Sequence, residues 1–148
     1  MHKALQVLPQ KRTIWLLKHV SGYCATGKQM KQWKKRETNE CPMCTAVEDH
    51  HHITQCKSQV VSNLWSEQIE QYETQLMKMG APYDTSQAMI QLINEYRGTM
   101  ATRLEFDEPT LQAAVTKQRR LGSNCFIEGL LVEEWKAHIV TFLTPKQK

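Results

Sequence analysis

Cys41-Pro42-Met43-Cys44-Thr45-Ala46-Val47-Glu48-Asp49-His50-His51-His52-Ile53-Thr54-Gln55-Cys56 gathers three thiols and three imidazoles in sixteen residues. Two thiolates with two residues between them chelate one ion from a single tight turn, and Pro42 presets the backbone angle just after the first. His52 and Cys56 are four residues apart, which puts both side chains on one face of a helical turn. Cys41, Cys44, His52 and Cys56 thus form a Cys3His donor set. Its soft and borderline ligands favour one Zn2+ and close a tetrahedral shell with no position for a catalytic water, so the site reads as structural. His51, at a His-x4-Cys spacing, is the alternative to His52. His50 lies further from Cys56 and reads as a surface residue or a donor behind the ligands.

The other two thiols, Cys24 and Cys125, fall outside this spacing and are expected to be small buried hydrophobes. An odd count of five Cys, three of them clustered, points to a thiolate metal site in a reducing compartment rather than a secreted disulfide framework. The N-terminal apolar stretch follows Pro9, Lys11 and Arg12 with no small-residue cleavage site. No signal peptide is therefore expected, and the chain is placed inside the cell, in nucleus or cytoplasm. No apolar run approaches the roughly 18 residues of a spanning helix, so no membrane partner is expected.

Charge is unevenly distributed. Residues 1–36 carry nine basic groups, Lys3, Lys11, Arg12, Lys18, Lys28, Lys31, Lys34, Lys35 and Arg36, and no acid. The other ten Lys and Arg share residues 37–148 with all fifteen Asp and Glu. A basic block beside a metal motif suits a polyanion such as RNA or DNA, because each Lys or Arg set on a phosphate releases a counterion. The competing reading is a solvated face or a segment that pairs with the acidic remainder. For nucleic acid, Lys28, Lys31, Lys34, Lys35 and Arg36 are the expected phosphate contacts and Trp33 a stacking surface.

Outside the Cys/His segment the pattern is helical. Residues 57–80 repeat Val61, Leu64, Trp65, Ile69, Tyr72, Leu76 and Met79 at steps of three and four, and Gly80 with Pro82 ends the stripe. Thr85 or Ser86 can cap a second helix along Met89, Leu92, Ile93 and Tyr96, closed by Gly98. Pro109 suits the first turn of a third, with Leu111, Ala114, Val115 and Gln118 on one side and Gly122 beyond it. NCFIEGLLVEEWKAHIVTFL places Phe126, Leu130, Leu131, Trp135, His138, Ile139 and Phe142 on one face of a final core helix that stops at Pro145. Residues 26–36 predict a basic helix with Met30 and Trp33 inward, while TIWLLKHV fits either a strand or a buried helix. The expected fold is mainly α: a basic N-terminal segment (1–39), a zinc knuckle (40–57) and a C-terminal bundle of about four helices (58–148).

The Cys-Pro-x-Cys spacing, the acidic pair Glu48-Asp49, and the His-Ile and Cys that follow resemble the zinc-binding segment found after the reverse transcriptase domain of non-LTR retrotransposons. SGYCATGKQMKQWKKR upstream and KQRRLGSNCFIEGLLVEEW downstream look like the blocks that flank it. The resemblance implies that Cys41, Cys44, His52 and Cys56 bind zinc; relatives with His-x4-Cys keep His51 as the alternative. It implies no catalytic residue here. No Asp-Asp pair for a two-metal polymerase and no Pro-Asp of a restriction-like nuclease occurs in the sequence.

Two enzyme readings compete. Gly22 to Lys28 fits G-x-x-x-x-G-K, but Gln29 stands where a phosphate-binding loop needs Ser or Thr for Mg2+. Asp49 to Ile53 suggests a His-based metal nuclease, which needs an open metal position and further ligands; downstream only His138 remains, expected on a helix face beside Trp135. The chain is therefore read as a non-catalytic module that binds nucleic acid, with a zinc-stabilised protein-interaction domain as the rival and no small-molecule substrate.

Overall fold

The computed structural model describes residues 9–99 and 103–143. The expected roles of Lys3, Pro145 and the Phe142 side chain lie outside what is described. Eight helices follow in order among these residues: α1 Gln10–Val20, α2 Gly27–Gln32, α3 His50–Gln55, α4 Gln59–Lys78, α5 Tyr83–Arg97, α6 Pro109–Leu121, α7 Ser123–Ile127 and α8 Glu133–Leu143. Extended pairing among the described residues is limited to one antiparallel bridge between Glu40 and Val47. The fold is mainly α, and TIWLLKHV is helical, within α1. The chain forms two compact units, Met1–Asn63 and Leu64–Lys148, so the basic segment and the Cys/His segment share the first.

In the first unit, α2 starts where the Thr26 hydroxyl accepts from the Gln29 amide at 3.3 Å. It ends at Gln32, short of the expected Arg36. The chain turns back at Lys34, whose φ is +55°. Bonds from the Lys34 amide to the Lys31 carbonyl (3.0 Å) and from the Lys35 amide to the Met30 carbonyl (2.9 Å) satisfy the last carbonyls. Because the helix stops here, Trp33 is not inward as expected. It is 36% exposed and lies against Tyr23, ring centroids 5.3 Å apart.

The core of the second unit is Ala88, Leu92, Phe106, Leu111, Ala114, Val115 and Trp135, with Met89, Phe126 and Val132 packed on it. Helix α6 lies at its centre, against α5, α7 and α8. The expected α6 stripe, Leu111, Ala114, Val115 and Gln118, is entirely buried. Helix α4 buries none of its residues fully, and Leu64 and Met79 of its expected stripe are exposed. It meets α5 through the Arg97 guanidinium 4.8 Å from the Trp65 ring centre and the Tyr72 hydroxyl 3.7 Å from Met89 Sδ.

Two expected elements differ. Helix α5 is capped at Pro82, not at Thr85 or Ser86, which are buried in its first turns. The final segment is two helices, not one. Gly129, at φ +78°, lets the Leu130 amide reach the Cys125 carbonyl (2.8 Å) and the Gly129 amide that of Phe126 (3.0 Å), which terminates α7. Gln118 then ties down the connection: its Nε2 donates to the Leu130 carbonyl (3.0 Å) and its Oε1 accepts from the Val132 amide (3.1 Å). Leu130 and Leu131 are left exposed. Trp135 and His138 are buried as a helix-face pair. Cys24 and Cys125 are half-buried rather than buried.

Candidate metal centre

The first two thiols come from a turn closed by its own backbone. The Cys41 amide donates to the Ala46 carbonyl (2.6 Å) and the Thr45 amide to the Cys41 carbonyl (2.9 Å), with Thr45 at φ +61° where the chain reverses. The Glu40–Val47 bridge flanks this turn. The Met43 amide donates to Cys41 Sγ at 3.4 Å. The other two donors come from α3. Asp49 caps it, its Oδ1 accepting from the His52 amide at 2.8 Å, and Cys56 is the residue at its C-terminal cap. A cap three residues ahead of His52 therefore fixes the turn on which the imidazole sits.

Cys41, Cys44, His52 and Cys56 converge, one donor atom from each, all within 4.8 Å of one another. Cys44 Sγ is 3.2 Å from His52 Nε2 and 3.6 Å from Cys56 Sγ, and Cys41 Sγ is 4.0 Å from Cys56 Sγ. Cys41 and Cys56 are buried, whereas Cys44 and His52 are half-buried. This is a donor set that can hold one metal ion. His51 is not part of it: its ring lies on His50, centroids 3.9 Å apart. His50 in turn packs over Gly22, where a Cβ would sit 3.5 Å from the imidazole.

The thiols differ electrostatically. The Ser58 hydroxyl, 3.5 Å from Cys56 Sγ, is the main group that holds the Cys56 thiol down to about 6. The Ala46 amide lowers the Cys44 thiol, but burial and the adjoining Cys56 and Cys41 thiols leave it raised. Sulfurs deprotonated together at this spacing would repel one another, and a cation among them would remove that conflict. Burial works to raise the Asp49 carboxyl, yet the His52 amide and the neighbouring His51 and His50 hold it below the usual carboxylate range, so it caps α3 as an anion.

The site is joined to α2. Arg36 Nη1 donates to Glu48 Oε2 (2.9 Å) and Nη2 to the Glu40 carbonyl (2.6 Å), while the Lys28 amide donates to the Glu48 carbonyl (2.9 Å). Gly27 makes this approach sterically feasible: a Cβ there would lie 2.9 Å from Glu48 Oε2 and 3.0 Å from the Asn39 carbonyl oxygen. Arg36, expected on a phosphate, thus braces the Cys/His segment. Lys28, Lys31, Lys34 and Lys35 are exposed.

Several contributors carried no obvious sequence signal. Ser58 has none, and Tyr23, ahead of α2, meets Trp33 at the far end of that helix rather than at a helical period. Asp49 did carry one, as an N-cap residue ahead of His52. Comparison with protein-family models, with curated proteins and with solved structures gives no match.

Proposed function

We propose that this chain is a non-catalytic, retroelement-derived zinc-binding module that binds nucleic acid through the basic face of its first unit. The observation that carries this reading is the attachment of the lysine-bearing helix α2 to the Cys3His donor set through Glu48. For zinc, bond lengths near 2.3 Å to sulfur and 2.05 Å to nitrogen place tetrahedral sulfurs about 3.8 Å apart and sulfur and nitrogen about 3.6 Å apart. Three of the six separations, 3.6 and 4.0 Å between sulfurs and 3.2 Å between Cys44 and His52, lie within a few tenths of these, and all six are within 4.8 Å. The resemblance of residues 41–56 to the retrotransposon segment supports the origin.

Four protein donors fill a tetrahedral shell, which argues against the metal-nuclease reading. His138 belongs to the second unit and is buried, with Nε2 2.7 Å from the Thr85 hydroxyl and Nδ1 2.9 Å from that of Thr110. The phosphate-loop reading also loses its support: Gly27 is enclosed by a carboxylate and a carbonyl, and the segment before it is the helix α1.

Lys28, Lys31, Lys34 and Lys35 are the assigned phosphate contacts. Four such contacts on a single strand give a slope of log affinity against log salt of about −2.8, so affinity should fall about 50-fold from 50 to 200 mM salt. Reversing the charge of Lys34 and Lys35 should at least halve that slope while zinc stays bound. Affinity that is flat with salt would favour the rival reading, a protein-interaction domain, for which the exposed Leu64 and Met77 of α4 and Met79 just after it offer apolar surface.

A further inference from the structure

We infer that Tyr23 and Trp33 form a stacking platform for an unpaired base, so that the preferred ligand is single-stranded nucleic acid. This rests on the nucleic-acid reading above and specifies its ligand. The two rings touch, centroids 5.3 Å apart and planes inclined by 56°. Rings already in contact leave no slot between them, so a base stacks on the outer face. Tyr23 offers more of that surface, at 56% exposed, than Trp33, at 36%.

Both residues are held by helix ends rather than by free loops. The Tyr23 amide donates to the Lys18 carbonyl at 2.8 Å, closing α1 across Gly22 at φ +69°. The Trp33 amide donates to the Gln29 carbonyl at 3.0 Å, closing α2. The platform is thus positioned before any ligand arrives, which lowers the ordering cost of binding. Exposed Lys31, Lys34 and Lys35 lie within two residues of Trp33 in sequence, and the carboxylate drawn against α2, that of Glu48, is paired with Arg36.

The geometry selects strandedness. A base in a duplex has both faces covered by its neighbours, whereas an unpaired base offers a free π-face to an aromatic ring and a flexible backbone to nearby lysines. Stacking on a ring face is tolerant of base identity, because every base has a π-face, so little sequence preference is expected.

The test uses the full chain, purified with zinc, and fluorescence anisotropy with three labelled probes of mixed sequence, each of about 12 nucleotides to span one site: a single-stranded RNA, a single-stranded DNA and a duplex DNA. Either single strand is expected to bind more tightly than the duplex at equal salt, and comparison of the two single strands identifies the natural sugar. Tyr23→Leu and Trp33→Leu should each weaken single-strand binding by about five- to 150-fold, the loss of one stacked base. Tyr23→Phe should retain affinity, and the salt slope and zinc content should not change. Should Trp33→Leu lose zinc, the Tyr23→Leu and Tyr23→Phe pair decides. Equal or tighter duplex binding, or indifference to both leucine variants, overturns the platform and leaves phosphate binding intact. Absence of salt-dependent binding to all three probes overturns both this inference and the function on which it rests.

Discussion

Lys34 separates the two roles assigned to the basic segment, because its backbone and its side chain do different things. Its φ of +55° is the left-handed conformation that ends α2. For a residue with a Cβ this costs roughly 1–2 kcal/mol, while glycine adopts it freely. Lys34→Gly relieves that strain but gives the unfolded chain more freedom, an opposing effect of about 0.4–1 kcal/mol. The first unit should therefore gain about 0.5–1 kcal/mol, or roughly 2–8 °C in melting temperature for a unit of this size. The same substitution removes one phosphate contact, so the salt slope for a single strand should shrink by about 0.7. Lys34→Ala keeps the strained backbone and loses the charge, so it should show the slope change without the gain in stability. Circular dichroism melts of the zinc-loaded protein and anisotropy at several salt concentrations read the two effects. Loss of stability in Lys34→Gly, or a slope equal to that of the unchanged protein in both variants, would refute the reasoning.

Other substitutions probe the supports. Gly27→Ala forces a Cβ to within 3.0 Å of the Asn39 carbonyl oxygen and 2.9 Å of Glu48; it should cost about 1–3 kcal/mol in urea unfolding and weaken metal retention, because the backbone oxygen cannot swing aside. Glu108 caps α6, accepting from the Thr110 and Leu111 amides at 3.1 and 2.6 Å, and Glu108→Ala should cost the second unit about 1 kcal/mol in the same assay. The Thr110 hydroxyl foremost, with these amides and His138, holds the Glu108 carboxyl below its usual range despite partial burial. A depressed carboxylate stabilises the fold above its unfolded pKa, near 4.3, and that contribution is lost as pH falls through the lower folded value. Acid melts of Glu108→Gln should accordingly show a smaller decline below about pH 4.3 than the unchanged protein.

Much of the fold was legible because apolar period and terminators agree. Leu111, Ala114, Val115 and Gln118 lie on one face, between Pro109 and Gly122, and all four are buried. A terminator inside an apolar run is masked by the periodicity around it: Phe126, Leu130 and Trp135 suit one helical face, yet Gly129 breaks the run and Gln118 secures the break from another helix. That second contact is tertiary, so no local pattern reports it. The convergence of Cys41, Cys44, His52 and Cys56 follows from two local facts, a tight turn between the first pair and a four-residue helical step between the last. In the sequence Arg36 groups with the lysines, because composition registers its charge and not its partner, Glu48, twelve residues away. The same blindness hid Tyr23 beside Trp33, whose separation matches no helical period.

Metal content tests the central assignment most directly. The protein is purified without added metal and weighed by native mass spectrometry beside His51→Ala and His52→Ala variants. The expected result is one zinc per chain, kept in His51→Ala, whose ring lies on His50, and lost in His52→Ala, whose Nε2 sits among the thiols. No zinc in the unchanged protein, or zinc lost with His51 and kept without His52, would contradict it.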